Sequence, residues 1–329
     1  MKNQTFGIEI EMNHITRRMA AQVIARTLPS GTLGDGASVR HIGGHTYDVW
    51  EVEGVDGRVW KVMRDGSIAG PEQEKTEVVS PVCKWEDIEL VQEVVRALRE
   101  AGAVAHSSCG IHVHIGLGEH TPKTLRNLVN IVNSREDLLT QALQISPERR
   151  DCWCLPVDQT FLRHLNTQRP RTSDDLARLW YRYSGKYGER PDADQNWQRY
   201  RREHYDPSRY RLLNLHSVFS KGTIEFRAFN STLHAGEVKS YIQLCMAMSH
   251  MALKSASASP RRPQTDNPAY TFRCWLLRLE MNGPEFKTAR EHLMKHMPGN
   301  AAWRNAPETA RHNPDAPRNT DDDNSTRDR

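Results

Sequence analysis

Residues 110–116 read Gly-Ile-His-Val-His-Ile-Gly, an alternation of apolar and ionisable residues that is typical of a β-strand. Successive side chains of a β-strand point to opposite faces, so His112 and His114 share one face of the predicted strand. The isoleucine and valine side chains of the same stretch occupy the other face. We therefore predict a strand that buries one face in the core and displays two imidazoles on the other.

Two further segments repeat this design. GIEIEM, at residues 7–12, places Glu9 and Glu11 on one face of a strand. TIEFRAF, later in the chain, places Glu225 and Arg227 on one face in the same way. For any one strand, a sheet with one face in water is the simpler interpretation. A solvent face more often carries threonine, serine, lysine or glutamine, so the three strands together indicate a ligand-binding face.

The ionisable groups of these strands suit metal and phosphate chemistry. Two carboxylates two residues apart on a strand lie roughly 7 Å apart and repel each other. A divalent cation removes that cost, and Mg²⁺ prefers carboxylate oxygens and often shares substrate phosphates. Histidine can complete a metal site or donate to a phosphate oxygen, and the arginine fork matches carboxylate or phosphate. These parts fit phosphoryl transfer, which depends on positioning and charge neutralisation.

The rest of the chain alternates strands with helices. An Asp-Gly turn at 56–57 joins two predicted strands, 47–55 and 58–63, as a hairpin, whereas the glycine-rich segment 30–45 is predicted to be a loop. The sequence has neither a GxGxxG motif nor a Walker loop. We predict an α+β fold with a mixed or antiparallel sheet, helices on one face and a polar active-site face. Apolar periodicity predicts helices at 15–28, 86–101, 121–144, 236–254 and 270–297.

Composition limits the class of protein. The 329 residues carry a formal net charge of +4, an excess too small to indicate nucleic acid by itself. The N-terminus lacks the apolar run of a signal peptide, and no segment approaches the roughly 20 apolar residues of a membrane span. We therefore predict a cytoplasmic protein with no membrane partner and with six free cysteine thiols. One domain is predicted at residues 1–297, followed by a disordered polar tail at 298–329.

Within this domain, an Arg- and aromatic-rich insertion at about 150–210 is open to three interpretations. Its helices can pack their aromatic side chains inward, which is the simplest interpretation. The insertion can also close over the site as a lid or substrate cradle, or bind nucleic acid, which is the least favoured. Asp65 lies in an Asp-Gly-Ser sequence and is more typical of a turn than of a site.

Five segments occur in the order seen in a known family: GIEIEM, TEVVSP, CGIHVHIG, YRLLNLH and GTIEFRAF. Over roughly residues 5–250 the chain resembles the putative amidoligase family. That family belongs to the carboxylate–amine (COOH–NH2) ligase superfamily, with glutamine synthetase and glutamate–cysteine ligase. The resemblance implies a glutamine-synthetase-like catalytic sheet and ATP-dependent formation of an amide or isopeptide bond through an acyl phosphate. It also implies Mg²⁺, for which Mn²⁺ can substitute, a small-molecule or peptide carboxylate and an amine as substrates, and it is compatible with an oligomer.

The resemblance also implies roles for individual residues. The metal ligands would be Glu9, Glu11, Glu77, His112 and Glu225. Contacts to nucleotide phosphates would come from His112, His114 and Arg211, with the choice between the two histidines left open. The residues that act on the substrate or the transferred phosphoryl group would be Arg227, Arg211 and Asn214.

Two other functions are compatible with the residues. A His-x-His strand also occurs in zinc-dependent hydrolases, in which the metal activates water. Such a site needs further His or Asp ligands on later strands, and the later strand here offers Glu225 and Arg227. A non-catalytic binding protein on the same fold is the other alternative, although every motif carboxylate is present.

Overall fold

The computed structural model describes residues 1–31 and 36–304 of the chain. In these ranges the strands are β1 Phe6–Met12, β2 Ser38–Gly43, β3 Val49–Glu53, β4 Val59–Arg64, β5 Thr76–Val79, β6 Gly110–Gly116, β7 Leu213–Asn214 and β8 Thr223–Asn230. The α-helices are α1 Arg17–Thr27, α2 Ile88–Glu100, α3 Pro122–Ala142, α4 Pro147–Cys152, α5 Gln159–Gln168, α6 Ser173–Tyr183, α7 Ala193–Tyr200, α8 His216–Lys221, α9 Ala235–Lys254, α10 Pro268–Arg278 and α11 Lys287–Met294.

All eight strands form one sheet, in the order β2-β3-β4-β5-β1-β6-β8-β7. Every neighbouring pair of strands is antiparallel. The predicted α+β class with an antiparallel sheet is therefore confirmed. The three strands with paired ionisable residues, β1, β6 and β8, lie side by side in the middle of the sheet. Their central position brings the ionisable faces together.

The apolar face of the sheet is the core of the molecule. On β1 this face consists of Phe6, Ile8, Ile10 and Met12, all of which are buried. Helices α1 and α9 pack against the sheet, and α2 packs against both helices. Gly102 follows the end of α2 with a positive φ of 94°, a conformation that commonly ends a helix and favours glycine. Full burial of each large aliphatic side chain contributes roughly 1.5–3 kcal/mol, so this face holds the central strands in register.

The segment predicted to be a loop at 30–45 contains a strand, so that prediction is wrong for β2. The side chains of β2 are exposed on both faces, except for the half-buried Gly43. Because neither face is buried, its sequence SVRHIG shows none of the alternation from which the other strands could be identified. Pairing with β3 along one edge is what makes this segment a strand.

Helices also contact the polar face of the sheet, so the prediction of helices on one face is incomplete. Arg149 on α4 lies against Gly110 of β6, on the same face as the two histidines of that strand. Ser217 on α8 donates a hydrogen bond to Glu225 of β8. The segment between α3 and β8 therefore covers one end of the polar face.

The Arg- and aromatic-rich insertion packs part of its aromatic side chains inward, whereas Tyr187 and Tyr205 are exposed. Trp180, Tyr181 and Trp197 are buried. Arg190 lies 4.2 Å from the centre of the Tyr200 ring and donates two hydrogen bonds to Asp206, at 2.7 and 3.1 Å. The insertion is therefore a packed part of the domain, and the ion pair of Arg190 fixes its last turn.

The chain after α9 runs along α3 before it forms two more helices. Asn127, Asn130 and Asn133 lie on one side of α3 and donate hydrogen bonds to backbone carbonyl groups of this extended segment. Helix α11 then packs against α9. The predicted disordered tail falls beyond residue 304 for most of its length, outside the described residues. Within the described ranges, no helix has both the length and the apolar character needed to cross a membrane.

The ion pair of Asp206 provides a test of this packing. The Asp206 side chain is fully buried, so Asp206→Ala leaves the Arg190 charge without its partner. We expect a loss of about 3–5 kcal/mol in the free energy of unfolding, measured by urea denaturation. Asp194→Ala removes an exposed partner of Arg182 and should cost less than about 1 kcal/mol. Equal effects of the two changes would contradict a structural role for the buried pair.

Candidate active site

The antiparallel register assembles acidic and imidazole side chains on the polar face of β1, β5, β6 and β8. Glu9 lies directly opposite His112, and Glu11 lies opposite Glu77. On the other side of β6, His114 lies opposite Glu225. Side chains directly opposite each other in antiparallel strands have Cβ atoms about 4.5–5.5 Å apart, which is close enough to share one ligand.

Glu9 is the centre of this cluster. Its Oε2 atom accepts a hydrogen bond from Nδ1 of His112 at 3.0 Å, and its Oε1 atom lies 3.2 Å from Nε2 of His114. Nζ of Lys221 lies 3.8 Å from the same Oε1 atom. Burial raises the pKa of Glu9, but His114, His112 and Lys221 outweigh burial and hold the pKa well below its ordinary value. Glu9 is therefore ionised at neutral pH.

Glu225 is the second ionised carboxylate. Its Oε2 atom accepts hydrogen bonds of 2.7 Å from Asn214 and from Ser217, and its Oε1 atom pairs with Arg227. Burial opposes ionisation, yet the charge of Arg227, followed by that of His114, lowers the pKa of Glu225 far below its ordinary value. The three polar partners also fix the orientation of this carboxylate.

A third group of carboxylates has no such compensation. Glu11, Glu77 and Asp65 can place one oxygen each within 4.8 Å of the others. Burial, followed by the charges of Glu9 and Glu11, raises the pKa of Glu77 well above its ordinary value. Burial and Asp65 raise the pKa of Glu11 to about 7. Burial and mutual repulsion therefore favour the protonated carboxyl groups on this side of the cluster.

The ring of His112 presents a lone pair to the cluster. Burial, followed by the charge of Arg227, lowers the pKa of His112 to about 4, so its ring is neutral. Because the ionised Glu9 can only accept, Nδ1 of His112 carries the proton and Nε2 keeps a free lone pair. Nδ1 of His114 is 3.0 Å from the hydroxyl of Thr223, while its Nε2 atom is buried without an aligned hydrogen-bond partner.

These donors fit divalent cations. Three overlapping triads have ligand atoms within 4.8 Å of one another: Glu9–His114–Glu225, Glu9–Glu77–His112 and Glu11–Asp65–Glu77. A cation would stabilise the ionised forms of Glu11 and Glu77, which burial and mutual repulsion disfavour. A set rich in carboxylate oxygen, with one imidazole in two of the triads, is typical of Mg²⁺ or Mn²⁺ and less so of zinc.

Two cavities meet at this cluster. The larger cavity has a volume of about 690 Å³, and the smaller one of about 370 Å³. His204, Arg209 and Lys221 line both cavities. The larger cavity is also lined by Glu9, Glu11, Asp65, Glu77, His112, Arg149, Arg227 and the aromatic residues Tyr47, Trp153, Tyr205 and Tyr210. The smaller cavity is also lined by Arg201, Arg202, Asn214, Ser217 and Glu225.

A β-bulge shapes the floor where the cavities meet. Ile111 pairs with Phe229 and Val113 pairs with Phe226, so two residues of β8, Arg227 and Ala228, face the single residue His112. Such an extra residue bends a strand and redirects its side chains. Phe229 consequently turns to the apolar face, where it stacks on Tyr241 of α9 with ring centres 4.3 Å apart.

Most of the residues predicted for the site lie together, but Arg211 does not. Its guanidinium donates hydrogen bonds to the carbonyl oxygens of Pro156, Ser184 and Gly185, at 2.8–3.1 Å, and to Asp158. It lines neither of the two cavities. The structure therefore places Arg211 where it holds the insertion together, and Arg209, two residues earlier, lies at the site instead. Asn214 reaches the site through its hydrogen bond to Glu225.

Several residues at the site were not predicted from the sequence. Asp65 serves as a turn residue, because its side chain accepts from the amide of Ser67, and it also belongs to the third triad. Arg209 and Lys221 directly precede the YRLLNLH and GTIEFRAF motifs, whereas Arg149 lies in a segment that only the folded chain brings to the cluster. Nothing in their local sequence distinguishes them from surface arginine and lysine residues.

A comparison with protein families supports the resemblance. The model of a family described as putative amidoligase enzyme matches residues 2–249 of the chain. The match spans the whole sheet and most of α9 and ends before α10 and α11. No curated protein matches the sequence.

The crowding of Glu77 generates a prediction about stability. Its raised pKa means that the folded protein retains a proton that the unfolded chain loses above pH 4.5 or so. Stability of the metal-free protein therefore falls as pH rises from that value through the folded pKa. Glu77→Gln removes the repulsion and should raise the thermal midpoint of the metal-free protein at pH 8 by about 2–4 °C.

The same change should have a much smaller effect at pH 5, where the wild-type carboxyl group is protonated. Glu53→Gln on β3, an exposed position, serves as the matched control and should leave both midpoints unchanged. Differential scanning calorimetry in the presence of a metal chelator measures the thermal midpoints of the wild-type protein and both variants at the two pH values. A lower midpoint of Glu77→Gln at pH 8 would contradict the electrostatic account.

Proposed function

Since the chain belongs to the putative amidoligase family, we propose that it is an ATP-dependent carboxylate–amine ligase that forms amide or isopeptide bonds. The observation that carries the proposal is the cluster of three acidic triads at the junction of two cavities. A ligase of this kind must hold a nucleotide and an acid close together beside compensating cations. The antiparallel sheet with a carboxylate-rich face also supports the glutamine-synthetase-like architecture.

In the proposed reaction a carboxylate oxygen of the acid attacks the γ-phosphorus of ATP. The bond from that phosphorus to the bridging oxygen breaks, and ADP leaves with the electron pair. The nitrogen of the amine then attacks the acyl carbon of the acyl phosphate and loses a proton. Inorganic phosphate departs, so acid, amine and ATP give amide, ADP and phosphate.

The cations that this reaction needs would be held by Glu9, Glu11, Glu77, His112 and Glu225, with Asp65 as a further oxygen ligand and His114 beside them. When bound, Mg²⁺ or Mn²⁺ supplies positive charge to the phosphate oxygens. Asn214 and Ser217 hold the Glu225 carboxylate in one orientation through two hydrogen bonds of 2.7 Å. Such outer contacts keep a ligand carboxylate positioned before a cation arrives.

The cationic side chains of the site would bind the negative charge of the reactants. Arg227 is buried beside Glu225, which raises its pKa against the effect of burial, so it stays charged. Arg209 and Lys221 line both cavities and would contact phosphate oxygens at the junction. Preorganised cations of this kind stabilise a phosphoryl-transfer transition state without any reorganisation.

The aromatic mouth of the larger cavity would limit the entry of water. The hydroxyl groups of Tyr47 and Tyr205 lie 3.1 Å apart, and this contact joins the loop before β3 to the insertion. Trp153 packs against Tyr210 on another part of the wall. An acyl phosphate hydrolyses when water reaches it, so a restricted mouth favours transfer to the amine.

The test of the proposal is nucleotide binding. We expect the purified protein to bind AMP-PNP in the presence of Mg²⁺ and to lose most of this affinity in EDTA. Glu9→Ala/Glu225→Ala should weaken Mg²⁺-dependent binding at least tenfold or so, since charged hydrogen-bonded ligands contribute about 1.5–3 kcal/mol each. Isothermal titration calorimetry measures the affinity, and Glu53→Gln on β3 is the control expected to bind normally.

Other outcomes would replace the proposal. Zinc retained through purification, together with hydrolysis that needs no ATP, would favour the metal-dependent hydrolase. Protein that binds neither AMP-PNP nor zinc would favour a binding protein on the same fold. Circular dichroism of the double variant belongs to the test, because an unfolded variant would show that the two carboxylates are structural.

A further inference from the structure

We propose that Arg149 binds the carboxylate group of the acid substrate in the larger cavity, an inference that rests on the proposed ligase function. Arg149 lies on α4, is only 4% exposed and contributes to the wall of the larger cavity. Neither its sequence context nor the family resemblance assigned it a role. Its position in the cavity wall and the few hydrogen bonds of its guanidinium indicate that it binds a ligand.

Arg149 is a buried cation that forms no ion pair in the part of the chain that the structure describes, although the charge of Glu11 acts on it. Its Nη2 atom donates to the carbonyl oxygen of Arg227 at 3.1 Å, and its Nε atom is buried with no hydrogen-bond partner. By contrast, Arg227 pairs with Glu225. A buried guanidinium that forms so few of its five hydrogen bonds is costly, and an anion in the cavity would remove that cost.

The strand beneath Arg149 is adapted to hold it. A Cβ atom on Gly110 would lie 2.2 Å from Nη1 and 2.5 Å from Cζ of Arg149, so only glycine leaves room for the guanidinium. The amide of Gly110 donates to Oε2 of Glu11 at 2.6 Å. The guanidinium is therefore held against β6 beside Glu11, at the edge of the acidic cluster, where a reacting group has to lie.

The distribution of cations distinguishes a carboxylate from a triphosphate at this position. Four cationic side chains line the smaller cavity: Arg201, Arg202, Arg209 and Lys221. That density of positive charge suits the several charges of a triphosphate. The larger cavity is also lined by several cations, but Lys61, Arg64 and Arg227 each pair with a glutamate. Arg149 forms no such pair among the described residues, and its planar fork matches the two oxygens of a single carboxylate. We therefore assign the acid to the larger cavity and to Arg149.

The experiment compares glutarate, used as a carboxylate probe, with glutaramide, its uncharged analogue. Both are titrated into the full chain with Mg²⁺ at constant ionic strength, and binding is followed by ligand-observed NMR. We expect the wild-type protein to bind glutarate and not glutaramide. Arg149→Gln should weaken glutarate binding at least about tenfold while AMP-PNP binding stays within about twofold. Arg150→Gln removes the same charge at the adjacent exposed position and should change neither affinity.

Arg149→Lys keeps the charge but not the fork, and it carries the test if Arg149→Gln fails to fold. It should lose most of the glutarate affinity and retain binding of AMP-PNP. Unchanged glutarate binding in both variants, or wild-type protein that binds glutarate no better than glutaramide, would overturn the assignment. A parallel loss of AMP-PNP binding would also overturn it, in favour of a phosphate contact. None of these outcomes contradicts the ligase proposal, which the separate test of Mg²⁺-dependent AMP-PNP binding decides.

Discussion

The register of β1 against its two neighbours is the constraint on which the rest of the molecule depends. Because alternate residues of β1 belong to the core, the burial of Ile8 and Ile10 fixes where Glu9 and Glu11 can be. A shift of one residue would bury both carboxylates in the apolar core and expose the isoleucines. The hydrophobic effect therefore positions the acidic cluster, and the chemistry of the site follows from the packing behind it.

Charge is distributed unevenly across the cluster. The Glu225 side is neutralised by Arg227 and by hydrogen bonds, so it keeps its charge and geometry without help. Glu11 accepts a hydrogen bond from the amide of Gly110, but on the side formed by Glu11 and Glu77 burial outweighs such contacts and favours the protonated carboxyl groups. The protein itself thus fixes the charge and orientation of Glu225, whereas ionisation of Glu11 and Glu77 depends on a bound cation. Sites that activate phosphates commonly combine these two conditions, since a cation must be held yet remain able to contact substrate.

The sequence predicted the sheet and much of the cluster because a buried strand face leaves an alternating pattern. It could not predict β2, whose faces are both exposed, or the bulge that turns Phe229 away from the polar side. It placed Arg211 at the site by its motif, whereas the folded chain uses that side chain to bind three carbonyl groups of the insertion. The position of Arg149 could not be predicted from the sequence, because the space for its guanidinium is provided by Gly110 on a separate strand.

The central place of β1 in the sheet also has a consequence for the order in which the protein is made. The first strand to leave the ribosome pairs with β5 and β6, but β8, which completes the polar face, and α9, which covers the apolar face, follow more than 200 residues later. At roughly 5–20 residues per second, this delay lasts about 10–45 s. Contacts between segments so distant in sequence also form slowly once the chain is complete. The nascent chain therefore exposes an apolar strand for a long interval, during which chaperones have the best opportunity to bind it.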